Sequence, residues 1–369
     1  MNWDGETILA PLTKGGNLPF RRLCVELGAK ITMSEMAYSR QVLRKNRAEL
    51  ALLRKHESET CFGVQIAATN ADQAVAAGSV AVERGATFVD LNAGCPIHDT
   101  VRRGMGATLL RRPKALASIV SQMAKELPVP VTVKIRSGWK EGEINAIEVG
   151  HLIADAGAAA VALHARTREQ RYTRSADWDL IARLVSELPI PVIGNGDILT
   201  HYEARWRREE SGCAAVMVAR GALFKPWIFR EIHQASDELP TAEERVAIYH
   251  RLAVLMKEHF RDDDRGHRRA MQFLPWHLGM FCRYRPFPEE EWAERSRQHP
   301  LIQTRQTSRE DLSVLEALLR DVREPTHVRM AQALWDAATS EDALERLMQI
   351  AHEQPPDPGE PSELARQQG

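Results

Sequence analysis

The sequence predicts an α/β chain, a closed (β/α)8 TIM barrel followed by a smaller all-helical C-terminal domain. Three observations carry that expectation. Over the first ~235 residues a short apolar run, a polar or Gly-rich loop and an amphipathic helix recur eight times. Polar and titratable residues gather at the ends of the runs, where such barrels carry their sites. Beyond residue 240 the strand-like runs stop and helical stripes take over.

The candidate strands are 8–12 (ILAPL), 30–36 (KITMSEM), 62–67 (FGVQIA), 88–92 (FVDLN), 129–136 (VPVTVKIR), 160–164 (AVALH), 190–195 (IPVIGN) and 214–219 (AAVMVA). They are nearly continuous in apolar residues, as parallel strands buried on both faces are. Pro130 and Pro191 stand at strand starts, where no ladder bond is lost. Between strands, residues 145–155 repeat Ile147, Val149, Leu152 and Ile153, and residues 180–188 repeat Ile181, Leu184 and Val185, at helical spacing. Gly28-Ala29, Gly85-Ala86 and Gly157-Ala158 end helices just before strands, where a left-handed residue is wanted. An open doubly wound sheet rarely needs eight regular units, so closure is expected.

In the second region the stripes are Val246, Tyr249, Leu252, Ala253 and Met256, then Leu312, Leu315, Leu318 and Leu319, then Met330, Ala333, Leu334, Leu344 and Leu347. Thr241 with Glu244 forms a capping box. The chain is read as a barrel over residues 1–240, a helical domain over 241–350 and a Pro-rich, disordered tail over 351–369.

Hydrophobic residues at 44% and charged residues at 27% exclude a disordered or collagen-like chain. Forty-nine basic against fifty acidic residues leave −1, which excludes a uniformly basic nucleic-acid coat. The charge is unevenly spread, however. Residues 331–369 carry −6 and residues 1–330 carry +5. Within 101–140, nine cations face Glu126 alone, a local +8 that suits a polyanionic partner. No apolar run approaches the ~18–20 residues of a membrane span. The opening residues, MNWDGETILAPL, lack a signal peptide's basic and apolar regions. Cys24, Cys61, Cys95, Cys213 and Cys282 are odd in number and form no CxxC pair, so neither disulfides nor a metal site is expected. A cytoplasmic monomer is the expectation.

At the strand ends, Gly194, Gly196 and Gly221 with Arg220 fit a phosphate site after the seventh and eighth strands. Lys134, inside an apolar strand, needs an anion, either a ligand or a barrel carboxylate such as Asp90. His164 alone reads as a satisfied core histidine, but beside Lys134 and Arg166 in that scheme it points to a shared anionic or electron-rich ligand. Cys95, between Gly94 and Pro96 in a rim loop, reads as a nucleophile or a general acid, whereas Cys24, Cys61 and Cys213 read as packing residues. Residues 266–287 interleave Arg268, Arg269, Arg283 and Arg285 with Phe273, Trp276, His277, Phe281 and Tyr284. That mixture suits base stacking and phosphate contact, and equally a core helix with a basic outer face.

These motifs together resemble the tRNA-dihydrouridine synthases. The likeness runs through Ala10-Pro11-Leu12, Asp90-Leu91-Asn92-Ala93-Gly94-Cys95-Pro96, Arg103-Gly104-Met105-Gly106-Ala107, Thr132-Val133-Lys134-Ile135-Arg136, His164-Ala165-Arg166, Asn195-Gly196-Asp197-Ile198, Ala219-Arg220-Gly221 and Lys225-Pro226-Trp227, covering the whole barrel. The segments near Phe281-Cys282-Arg283-Tyr284 and 219–228 look most like the family's type-3 branch, without that branch's zinc fingers. Leu12 and Ala93 are apolar departures from the common pattern. The resemblance implies a barrel holding FMN, a helical domain gripping tRNA, and NADPH-driven reduction of uridine to 5,6-dihydrouridine. Carried over by position, Ala10, Pro11, Leu12, Gln65, Lys134, His164, Asn195, Gly196, Asp197, Ala219 and Arg220 contact FMN, and Cys95 donates the proton. Asn92 and Arg166 orient the base, while Arg136, Arg102 and Arg103 serve the RNA-holding rim. Two other readings remain: a flavin-dependent reductase of a free pyrimidine, and a non-catalytic RNA-binding module.

Overall fold

Where the sequence sets glycine before a strand, the backbone turns through the left-handed region. Gly28, Gly85 and Gly157 have φ of 100°, 90° and 93°, and each is followed three residues later by a strand. The computed structural model describes residues 1–304 and 312–353. Its barrel strands are β1 (Thr7–Leu9), β2 (Ile31–Met33), β3 (Cys61–Ala67), β4 (Phe88–Ala93), β5 (Val131–Arg136), β6 (Ala160–His164), β7 (Val192–Asn195) and β8 (Ala215–Val218). All pair in parallel. Ile8 lies opposite Met217 and Thr32 opposite Phe62, so β8–β1 and β2–β3 close the ring.

The second strand is shorter than the 30–36 run suggests. It stops at Met33 because Ser34 Oγ accepts the Gln65 N–H and donates to Glu35 O, diverting the ladder into a side chain. A separate two-residue strand, Ala37–Tyr38, then pairs with the upper end of β3. The first strand likewise ends at Leu9, just before Pro11, which has no N–H to give.

Period-two alternation sorts β5. Val131, Val133 and Ile135 are buried apolar residues, whereas Thr132 bonds to Asp90 on the neighbouring strand β4 and Lys134 reaches past β6 to Asn195 on β7. The upper interior is therefore polar, in line with the polar and titratable residues at the strand ends.

The helical region is anchored to the barrel flank. Thr241 and Glu244 make both bonds of the capping box that opens helix Ala242–Phe260. That helix packs on helix Leu18–Glu26, with Arg251 paired to Glu26 at 2.6 Å and Arg22 to Glu258 at 2.7 Å. Tyr249 stacks on Phe281 at 4.3 Å, and His277 stacks on Phe20 at 4.7 Å. The aromatics of 266–287 thus mostly form core. Trp276 is the exception, because it reaches the barrel mouth over Gly15, where a Cβ would lie 2.9 Å from its ring. Residues 351–353 complete helix Ser340–Glu353 instead of beginning a disordered tail, and residues 354–369 lie outside the described residues. Among the described residues no helix is long and apolar enough to cross a membrane.

Candidate active site at the barrel mouth

A cavity of about 640 Å³ opens at the C-terminal ends of the strands, a volume suited to a cofactor-sized ligand. All eleven residues expected to contact a cofactor line it, from Ala10, Pro11 and Leu12 after β1 to Ala219 and Arg220 after β8. Cys95, Asn92, Arg136 and Arg166 line it as well. Arg102 and Arg103 do not. They are exposed on the outer side of the Cys95 loop, Arg102 near Asp99 at 3.7 Å and Arg103 over the Tyr38 ring at 5.4 Å.

On one side of the mouth, hydrogen bonds climb from the barrel interior to the cysteine. Asp90 is buried and accepts from Thr132 Oγ1 at 2.6 Å and Gln65 Nε2 at 2.8 Å. Gln65 Oε1 accepts from Asn92 Nδ2 at 2.7 Å. Asn92 Oδ1 accepts the backbone N–H groups of Gly94 and Cys95 at 3.1 and 2.9 Å. Arg136 closes the loop from the other side, donating to Gly94 O at 2.9 Å and Thr167 O at 3.0 Å. Asn92 therefore has its amide engaged in holding the cysteine loop. Burial pushes the Asp90 carboxyl up to about 6.

Asp90 does not pair with Lys134. The Lys134 ammonium instead donates to Asn195 Oδ1 at 2.8 Å, and Asn195 Nδ2 donates to Met217 O at 2.7 Å. Burial, with Arg136 nearby, lowers Lys134 to about 7. A lysine in that state gains a proton when an anion arrives.

On the other side the bonds are ionic. Arg166, fully buried, grips both Asp197 oxygens at 2.7 and 2.6 Å and donates to Arg174 O. Arg220 meets Asp197 at 3.2 Å, and its guanidinium lies 4.2 Å over the Tyr172 ring. Burial works to raise the Asp197 carboxyl, but Arg166 and Arg220 hold it below its usual value. Burial and then the charges of Arg136, Lys134, Arg166 and Arg220 push His164 well down, so its ring is neutral, and the Arg166 guanidinium lies 3.2 Å from His164 Nε2. Arg166 is thus tied to Asp197, not free to orient a base.

The glycines divide by role. Gly194 leaves room for Trp178, whose ring a Cβ would meet at 2.5 Å, and this is packing within β7. Gly221 lets the loops after β7 and β8 touch, since a Cβ there would lie 2.2 Å from Ile198 O. Among the other cysteines, Cys24, Cys213 and Cys282 are buried, while Cys61 is only partly so and bonds to Thr87. All five cysteines are free, and among the described residues no His/Cys/Asp/Glu group could hold a metal. Trp276 and Tyr172 were not singled out for this cavity by the sequence reading. For Trp276 the aromatic–basic interleaving of 266–287 was the available signal.

A parallel barrel with a cation-lined cavity at its C-terminal mouth and a thiol on its edge defines a ligand-binding barrel of the enzyme type. The dihydrouridine synthase (Dus) family profile matches residues 8–312, and the chain belongs to that family. It is 41% identical over 284 residues to a "tRNA-dihydrouridine(47) synthase [NAD(P)(+)]-like" protein of Oryza sativa subsp. japonica, covering 75% of this chain and 41% of that protein. A protein of the same name from Homo sapiens is 40% identical over 286 residues, covering 76% and 44%. The chain thus spans less than half the length of these curated relatives. A solved complex of 2-naphthoyl-CoA reductase with 2-naphthoyl-CoA shares the fold, with a TM-score of 0.51 at 13% identity over 62% of this chain and 50% of that one.

Proposed function

We propose that this chain binds FMN in the barrel mouth and reduces a uridine of tRNA to 5,6-dihydrouridine, with NADPH as electron source and Cys95 as proton donor. The carrying observation is the thiol of Cys95, on a loop whose backbone the Asp90–Gln65–Asn92 chain holds at the edge of a strongly cationic cavity. Among the described residues the lining has Lys14, Lys134, Arg136, Arg166, Arg171 and Arg220 against one carboxylate, Asp197. Such a surplus is costly unless anions neutralise it. A flavin phosphate and an RNA backbone supply that charge, so the residues present fit FMN. Arg220 and the turns at Gly196 and Gly221 would hold the phosphate, and Lys134 and Gln65 would face the ring system.

When bound and reduced, FMN supplies the hydride that adds to C6 of the uracil. The residues of the chain supply the rest. Cys95 delivers its proton to C5, as a positioned thiol acting as general acid. Lys134 offers positive charge against the electron-rich ring. A uridine within a stack cannot reach this depth, so the target nucleotide leaves its stack and enters between the Cys95 loop and Trp276. The helices beyond residue 240 form the second wall of that entry and are proposed to grip the tRNA. The names of the relatives point to position 47 as the target.

Purified chain should be yellow and release FMN on acid denaturation, and colourless protein that takes up no flavin removes the proposal. Mapping dihydrouridine in tRNA from a deletion strain, with and without this gene restored, should show position 47 regained. Restoration at another position would keep the reaction and move the target.

A further inference from the structure

Among the described residues the Cys95 thiol has one side-chain partner, and that partner has another. Cys95 Sγ lies 3.7 Å from Thr100 Oγ1, and Thr100 Oγ1 lies 2.9 Å from the Tyr38 hydroxyl. Thr100 is fully buried on helix His98–Arg102, which follows the cysteine in the same loop. Tyr38 comes from the separate strand Ala37–Tyr38, on the far side of the sequence.

The loop is shaped to make this contact. Cys95 O accepts the Ala107 N–H at 3.1 Å, pinning the loop's return. Gly106, at φ 60°, has no space for a side chain, because a Cβ would meet Cys95 O at 2.7 Å and Thr100 Cγ2 at 2.9 Å. Tyr38 is held from two sides. Its N–H donates to the Glu49 carboxylate at 2.9 Å, and its ring lies under the Arg103 guanidinium.

A proton-donating thiol makes opposite demands on its neighbour before and after it acts. The S–H needs an acceptor, and the thiolate left behind needs a donor. A pair of hydroxyls meets both demands by rotating two O–H bonds, with no heavy atom moving. We propose that Thr100 and Tyr38 are positioning residues for Cys95, a reversible hydroxyl pair that orients the thiol and then donates to the thiolate. In the donor step the S–H bond breaks as the new C5–H bond forms. The thiolate then accepts from Thr100, Thr100 accepts from Tyr38, and a water proton restores the thiol. This rests on Cys95 being the acid, and its test is chosen to stand apart from that reading.

The test is the pH dependence of Cys95 alkylation by iodoacetamide in the full folded chain, resolved by mass spectrometry so that Cys61 does not contribute. Thr100→Val keeps the shape and removes the hydroxyl. It should move the alkylation profile to higher pH, slowing the reaction at pH 7.5 about fivefold and leaving the high-pH limit unchanged. Tyr38→Phe should give about a twofold effect in the same direction, and Thr100→Ser should restore the wild-type profile. Profiles of Thr100→Val and Tyr38→Phe that overlay the wild type overturn the proposal, as does a fall in the high-pH limit with no shift. If Thr100→Val fails to fold, Tyr38→Phe decides alone. A chain that makes no dihydrouridine would still give this answer.

Discussion

On the β3–β4 side of the mouth, polar side chains are joined by hydrogen bonds that end in one carboxylate, Asp90, deep in the barrel. On the β6–β8 side they are joined by charge, with Asp197 shared by Arg166 and Arg220. The first arrangement fixes the cysteine loop through neutral amides, with the Arg136 guanidinium bracing it from the other side. The second concentrates charge where an anion is to bind. The contrast assigns proton delivery to one side and anion holding to the other, and substitutions can separate the two.

The largest expected effect is at the tip of the hydrogen-bonded side. Cys95→Ala should lower dihydrouridine formation about a thousandfold, within the range of a lost general acid. FMN content and NADPH oxidation should survive, since Cys95 has no part in the ionic cluster. Flavin lost from this variant would show that the two sides are not separable. Next comes the ionic side. Asp197→Asn leaves Arg166 buried without its counter-charge and should cost about 3 kcal/mol in denaturant unfolding, with FMN lost as well. An unchanged midpoint would mean that the cluster is not the structural anchor its geometry implies.

How much of this was legible in the sequence follows the same division. Positions were readable because β/α repetition and the glycines at 28, 85 and 157 set where strands start, and the length of each apolar run then carries it to the rim. Partners were not. Lys134 calls for an anion in any reading, but only the closed barrel shows that it turns to Asn195 on β7 while Asp90 serves Thr132 and Gln65. Sequence spacing carries no information on cross-strand register. Arg166 looked free for a substrate because Asp197 is thirty-one residues away along the chain. The inner polar face of β5 was visible in VTVKIR as alternation, and the apolar half of that pattern masked it.

Lys134 stands between the two sides and gives a pH test. Its folded value is lowered to about 7, so the folded chain binds fewer protons than the unfolded chain between about 7 and the ordinary lysine range. By that sign, this group's contribution makes stability rise with pH across the interval. An anionic ligand prefers the protonated form, so FMN binding should weaken as pH rises above 7, by up to about tenfold per unit. Flavin fluorescence titration from pH 6.5 to 8.5 checks this, with Lys134→Met expected to bind less tightly and without that slope. A slope that persists in Lys134→Met would transfer the linkage to another group.

The smallest effect is expected outside both networks. Arg102 is exposed, meets only Asp99 among the described residues, at 3.7 Å, and does not line the cavity. If it serves the RNA, it does so as a point charge against phosphate. Arg102→Ala should then weaken tRNA binding only a few-fold and reduce the salt slope of log K by about one. The rate at saturating tRNA should be unchanged, because the Asn92 and Arg136 contacts to the Cys95 loop do not pass through Arg102. A fall in that saturated rate would place Arg102 within the machinery that positions the cysteine, and would erase the boundary between the proton-delivering side and the surface around it.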